Sequence, residues 1–259
     1  EEARRQDRHH GVIIMIELGD LREGILPGSL VRVYEEVFEL SNITMMGVGS
    51  NLGCLSGAVP NLDQLMQLAL YRELLELKFD RKLPLISAGT SAVLPLLDEG
   101  RLPRAINHFR IGESLFLGTD LIHGDVLPGL RDDAAVLDAE IVEIKEKSLV
   151  ATGETGDVAP FEALDEPDFE PGSRGYRAVV TVGQLDTDIG GLTPVDPDHQ
   201  IAGASSDLTV VNIGPRSKGL RIGDTIRFRM AYSAFVRLMS SPYTQHEVIP
   251  LDGSESLAS

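Results

Sequence analysis

The chain has one cysteine, no tryptophan and very little lysine. A single cysteine, Cys54, excludes an internal disulfide and a thiolate cluster, and makes a cytoplasmic setting the expectation. No apolar run approaches the ~18 residues of a membrane-crossing helix. The first ten residues, EEARRQDRHH, contain no apolar signal-peptide stretch. Positive charge is also scarce: 23 Lys and Arg stand against 40 Asp and Glu, a formal net charge of −17. That balance argues against nucleic acid or an anionic membrane as partner. Only five of the cations are lysines: Lys78, Lys82, Lys145, Lys147 and Lys218. His9, His10 and His123 lack the spaced partners of a metal site. No serine sits in a nucleophile elbow, and Cys54 has no activating base near it in sequence.

Two halves with different rhythms are present. Up to about residue 125, strand and helix signals alternate. Val12–Ile16, the stretch TMMGVGSN at 44–51, Leu85–Ser87 and the start of INHFRIGESLFLG read as short strands, the last followed by a turn. Between them, Leu30–Leu40 and Asn61–Lys78 have helical spacing. The second is an amphipathic helix with Leu65, Leu68, Leu70, Leu74, Leu75 and Leu77 as its apolar side, and TSAVLPLLDEG opens a third helix. This alternation predicts a parallel sheet with helical crossovers. From about residue 132, AAVLDAEIVEIKEK, YRAVVTVGQLD, DLTVVNI and DTIRFRMAY alternate with period two between Gly- and Pro-rich turns, which predicts an all-β module. The expected division is 1–130 and 131–259. Four strand–helix units are too few to close an eight-stranded barrel, so the first half reads as the later units of one. Residues 1–10 then read as the tail of a preceding helix.

Parallel α/β units present ligand groups at the C-terminal ends of their strands. Four such ends carry polar residues: ELGDLREG, VGSNLG, ISAGTSA and FRIGES. SAGTSA, at 87–92, suits phosphate binding through free N–H groups, or is an ordinary cap by Thr90 or Ser91. RIGES, at 110–114, offers further N–H groups beside Arg110, or is a surface turn. Arg22, Asn51 and Tyr243 each have a plain reading as well: solvated loop, strand-end turn and core. Seven acids crowd residues 154–170, either a solvated loop or one that recognises a cation.

Taken in order, LGDLREGI, GVGSNLGC, ISAGTSAVLPLL, INHFRIGE, GETGD and AGASSD resemble the ornithine racemase-like branch of the alanine racemase family, from about residue 11 to 247. The resemblance implies pyridoxal 5'-phosphate (PLP) as cofactor, a (β/α)8 barrel followed by a C-terminal β domain, a homodimer, and an amino acid as the small-molecule substrate. By position, Arg110 matches the arginine that faces the pyridine nitrogen. Gly112 and Glu113 match backbone donors to the phosphate, with Thr90 and Ser91 beside them. Arg22 matches the arginine near the cofactor's 3-hydroxyl and the substrate carboxylate. Asn51 stands where alanine racemases carry a histidine behind the ring. Ser206 and Asp207 match a segment that reaches a partner subunit's active site, and Tyr243 matches a residue near the phosphate. Alanine racemases place a tyrosine base near the start of the β domain. The matching stretch here, GETGDVA, offers Glu154 and Asp157 instead, as a base or as the site of a cationic side chain.

One element of that pattern is missing. The family's Schiff-base lysine follows the first barrel strand, and none of the five lysines here matches it. The expectation is therefore an amino-acid racemase lacking its N-terminal segment, with the chain alone inactive. The rivals are a non-catalytic PLP-binding homologue concerned with cofactor homeostasis, and a standalone domain with no cofactor.

Overall fold

The computed structural model describes residues 1–53, 57–150, 169–170 and 172–249. The chain divides into two compact units, Glu1–Asp132 and Asp133–Ser259. Among the described residues no helix is long and apolar enough to cross a membrane.

The N-terminal unit opens with a four-residue helix, α1 (Glu2–Arg5), and then builds a four-stranded parallel sheet from β1 (His10–Met15), β2 (Ile43–Gly49), β3 (Leu85–Thr90) and β4 (His108–Arg110). The strands lie in chain order, β1-β2-β3-β4, with no reversal. The crossovers carry α2 (Leu30–Phe38), α3 (Leu62–Phe79) and α4 (Leu94–Asp98), so all four strand C-termini emerge at one edge. Burial drives this arrangement. Val48, Ile86, Leu65, Leu68, Leu75 and Tyr34 form one apolar core between sheet and helices. Within it the Tyr34 hydroxyl donates to the Gly47 carbonyl at 3.0 Å, tying α2 to β2. Burial also drives the Tyr34 phenol's pKa far up. Gly47 is required by close approach, because a Cβ there would lie 1.9 Å from the Leu85 carbonyl oxygen of β3.

Helix α3 shows why it begins where it does. The Asn61 side chain accepts from the Gln64 amide at 2.9 Å, and the Gln64 side chain accepts from the Asn61 amide at 3.1 Å, a reciprocal capping box. Gln64 also donates to the Leu18 carbonyl at 2.7 Å, which fastens the helix to the loop after β1. The single apolar side expected of α3 is corrected. Leu65, Leu68 and Leu75 are buried, whereas Leu70, Leu74 and Leu77 are exposed. At ~100° per residue the two sets lie on different sides of the helix.

After β4 the chain forms a helix, α5 (Glu113–Leu117), where a turn was expected. Five residues are too few to show a helical period. The C-terminal unit is a six-stranded antiparallel sheet of β5 (Leu137–Ser148), β6 (Arg174–Val180), β7 (Leu192–Pro194), β8 (Gln200–Ala204), β9 (Thr209–Asn212) and β10 (Thr225–Met230), in the order β7-β10-β5-β6-β9-β8. Its core holds Ile141, Val180, Val211, Ile226 and Phe228. It is not all β: α6 (Tyr232–Ser240) packs Ala234, Phe235 and Leu238 inward, and its Ala234 carbonyl accepts from buried Thr187 at 3.0 Å. That helix follows β10 after a single residue, so the sequence offers no turn signal to separate them.

Candidate functional site

The strand ends of the N-terminal unit converge on Arg110. Its guanidinium donates to the Ser87 carbonyl at 3.1 Å, to the Ser87 hydroxyl, to the Ser50 carbonyl at 3.2 Å and to the Asn51 side-chain oxygen at 3.2 Å. These partners come from the end of β2 and the middle of β3, so one side chain on β4 ties three strands together. Arg110 itself remains exposed while Ser50, Asn51 and Ser87 are buried. The Ser87 hydroxyl also meets His108 Nδ1 at 2.8 Å.

Asn51 passes the contact on. Its Nδ2 donates at 3.2 Å to Asp20, a carboxylate only 2% exposed, in the loop after β1. Arg22 Nε lies 3.8 Å from the same Asp20 oxygen, and the Arg22 guanidinium also pairs with Glu23. The loop holding both residues is a closed turn. Ile25 N–H donates to the Met15 carbonyl at 2.9 Å and Glu17 N–H to the Ile25 carbonyl at 3.0 Å. The Glu17 carboxylate accepts from the amides of Gly19 and, at 3.3 Å, Arg22. Those backbone donors hold its pKa below the usual carboxylate range. Gly24 has φ +126°, and a Cβ there would lie 2.6 Å from the Glu17 nitrogen, so the turn needs glycine.

A second cluster joins β3 to α5. Ser91 Oγ accepts from the Ser114 amide at 3.4 Å, and Ser114 Oγ donates to the Thr119 carbonyl at 2.7 Å. Thr90 Oγ1 donates to the Leu52 carbonyl at 3.3 Å and caps no helix. Gly112 precedes α5 and Glu113 opens it. Burial alone raises the Glu113 carboxyl above its ordinary pKa. Glu113, Ala92, Asp120 and Gly53 are among the residues lining a cleft of about 320 Å³.

The structure therefore brings Arg22, Asn51, Thr90, Ser91, Arg110, Gly112 and Glu113 to the C-terminal edge of one sheet. Ser206, Asp207 and Tyr243 belong to the other unit. Ser206 Oγ donates to Asp207 at 2.8 Å in the turn between β8 and β9, and Tyr243 is 88% exposed beyond α6. Glu154, Asp157 and Cys54 lie outside the described residues. Of the five lysines, Lys78 and Lys82 lie at the far end of α3, while Lys145 and Lys147 on β5, and Lys218, paired with Asp196 and Asp198, belong to the other unit. Residue patterns missed Asp20, Ser50, Ser87 and His108. Asp20 was visible only as a turn acid in LGDLREG, and Ser50 and Ser87 as small strand-end residues.

Residues 1–120 match the family model "Alanine racemase, N-terminal domain". An ornithine racemase of Acetoanaerobium sticklandii is 37% identical over 248 residues, covering 95% of this chain and 69% of that protein. A lysine racemase of Thermotoga maritima is 33% identical over 246 residues, covering 95% and 67%. Among solved structures, an alanine racemase from Corynebacterium glutamicum aligns with TM-score 0.58 at 20% identity, over 85% of this chain and 56% of that one. A D-threonine aldolase from Filomicrobium marinum aligns with TM-score 0.59 at 15% identity, over 90% and 58%. The chain thus spans a little over half the length of these solved structures, which share its fold. With the sequence matches running through both units, the chain belongs to the alanine racemase-like family of amino-acid racemases, in its ornithine racemase branch.

Proposed function

We propose that this chain is the PLP- and substrate-binding part of an amino-acid racemase acting on a cationic amino acid such as ornithine or lysine, and that its N-terminal unit is a run of consecutive barrel units. The observation that carries the reading is Arg110, at the end of β4, gripped by Ser50 and Asn51 after β2 and by Ser87 within β3.

The residues present fit the cofactor's ring and phosphate. Arg110 offers a donor that keeps its proton at any working pH, which suits an unprotonated pyridine nitrogen. Ser91 and the amides of Gly112 and Glu113 suit a phosphate, and Glu113, biased towards its neutral form by burial, adds less repulsion than an ordinary carboxylate would. Arg22 suits the substrate carboxylate. When bound, PLP supplies the electron-withdrawing ring that makes the substrate Cα proton removable. Proton removal on one face and return on the other needs two bases. Glu154 or Asp157 is proposed for one of them, or for the substrate's terminal ammonium. The other is proposed to be a lysine, and none of the five lysines of this chain matches that position in the resemblance. The match to ornithine and lysine racemases across 95% of the chain favours this reading over a cofactor-homeostasis homologue. Ser206 and Asp207 are proposed to serve a partner subunit's site in a homodimer.

The test is PLP binding by residues 1–259, followed by borohydride reduction and intact mass, with D-ornithine measured by chiral chromatography. The expected result is reversible PLP binding, no covalent mass increase, and D-ornithine only when a small alkylamine replaces the missing lysine. Failure to bind PLP would sink the proposal. Turnover without added amine would remove its lysine part, and faster racemisation of alanine than of ornithine would remove the cationic substrate.

A further inference from the structure

Resting on that reading, we infer that Asp20 is a positioning residue: its buried carboxylate sets the orientation of Arg110 through Asn51 and helps hold Arg22 on the other side of the site. The argument is one of donors and acceptors. An asparagine amide has one accepting end and one donating end, and its two orientations fit the same space. Asn51 touches a guanidinium at one end, which can only donate, and a carboxylate at the other, which accepts. With Asp20 in place only one orientation satisfies both neighbours, and Asn51 Oδ1 must point at Arg110. Without the carboxylate, that orientation loses its partner and the amide is free to turn its NH2 group towards the guanidinium, where two donors would oppose each other.

Asp20 is built for this part. It is 2% exposed, so its carboxylate gains little from water and depends on protein partners. Its loop is closed by the Met15–Ile25 and Glu17–Ile25 backbone bonds and by the Gln64–Leu18 contact, all of which leave the Asp20 side chain pointing inward. Arg22, two residues on, comes within 3.8 Å of the same carboxylate oxygen. One buried anion is therefore shared between the arginine proposed for the ring nitrogen and the arginine proposed for the substrate carboxylate. A displacement of Asp20 would be felt by both.

Two variants test the inference. Asp20→Asn keeps the shape, removes the charge and turns one of the two accepting oxygens into a donor, so Asn51 no longer faces a group that can only accept. The exchange Asp20→Asn with Asn51→Asp moves the carboxylate one residue closer to Arg110 and restores a donor–acceptor chain. The primary readout is hydrogen-exchange protection of the Arg110 guanidinium by nitrogen-15 NMR on the protein without ligand. Arg177 serves as internal control, since its guanidinium is held in the other unit by Asn212 and Leu149. PLP affinity is the second readout. In Asp20→Asn, protection at Arg110 should fall about tenfold with Arg177 unchanged, PLP affinity should fall by a similar factor, and the exchange variant should recover to within threefold. Arg110 protection within twofold of wild type in folded Asp20→Asn would overturn the inference, whether or not PLP binds. Loosened Arg110 in a protein whose wild type binds no PLP would leave the inference standing and defeat the functional reading instead. Should Asp20→Asn fail to fold, the exchange variant decides: protection restored supports alignment by charge. An exchange variant that is folded but loose at Arg110, or that is itself unfolded, overturns it.

Discussion

Ser50 and Ser87 invite a comparison in which the substitution is the same and the outcome is not. Ser50 follows β2 and Ser87 lies within β3 of the same sheet, and they are 0% and 1% exposed. Ser50 Oγ makes a single long contact, 3.4 Å to the carbonyl of the next residue, at the margin of a hydrogen bond. Ser87 Oγ accepts from the Arg110 guanidinium and lies 2.8 Å from His108 Nδ1. A hydrogen bond to a charged group contributes about 1.5–3 kcal/mol, and a neutral one about 1 kcal/mol. Arg110 keeps its contacts to the Ser87 carbonyl, Ser50 and Asn51 when the hydroxyl is lost, so the lower end applies. Ser87→Ala should therefore destabilise the N-terminal unit by about 2 kcal/mol, a roughly thirtyfold rise in its opening constant. Ser50→Ala should cost less than about 0.5 kcal/mol, since it removes little more than a marginal contact. Hydrogen exchange of the β3 amides in the regime limited by opening equilibrium measures this for the N-terminal unit separately from the other. Equal costs for the two serines, or a larger cost for Ser50, would refute the view that Arg110 rather than burial gives Ser87 its weight.

Three further outcomes follow from the same structure. Gly47→Ala places a methyl group 1.9 Å from a backbone oxygen, where no rotamer can relieve it, and should abolish folding of the parallel sheet or cost more than about 3 kcal/mol by urea unfolding. Glu143, hydrogen-bonded to both Lys145 and Lys147, is held down to about 2. Its folded-state pKa lies below its unfolded one, so its stabilisation is present above about 4.5 and is lost as pH falls towards 2. Carboxyl NMR titration should give a midpoint near 2 that rises in the double variant Lys145→Ala, Lys147→Ala. Glu113 has the opposite sign: burial raises its pKa, so the neutral form is favoured and stability declines as pH rises through the ordinary carboxylate range. Glu113→Gln should leave thermal stability unchanged at pH 4 and raise it at pH 7, and equal effects at both values would exclude burial as the cause.

The legible part of this protein is what repeats along the chain. Period-two alternation in AAVLDAEIVEIKEK and in DTIRFRMAY gave β5 and β10, because one side of each strand packs into a common core. The alternation of strand and helix up to β4 gave the parallel sheet, and leucine spacing gave the extent of α3 though not its buried side. What did not repeat was harder to read. Helices α5 and α6 are short or abut a strand, so no period or turn isolates them. The site was legible as strand ends, and Arg110 and Asn51 stand together there. Asp20 was not singled out, because an acid between glycine and leucine in a turn looks solvated, and only the closure of residues 17–25 turns it inward. Ser87 was hidden for a related reason: a serine is small enough to pass as a strand residue, and its partner is twenty-three positions away.

Helix α3 has leucine on both its sheltered and its open side, so apolar content alone leaves its roll about its own axis nearly degenerate. Two polar pins break the tie. Near the first turn, Gln64 reaches the Leu18 carbonyl at 2.7 Å, and near the last, Glu76 accepts from the Leu83 amide at 2.7 Å. A rotation that exchanged Leu65, Leu68 and Leu75 for Leu70, Leu74 and Leu77 is thus opposed less by apolar burial than by two hydrogen bonds, one of which also anchors the loop carrying Asp20.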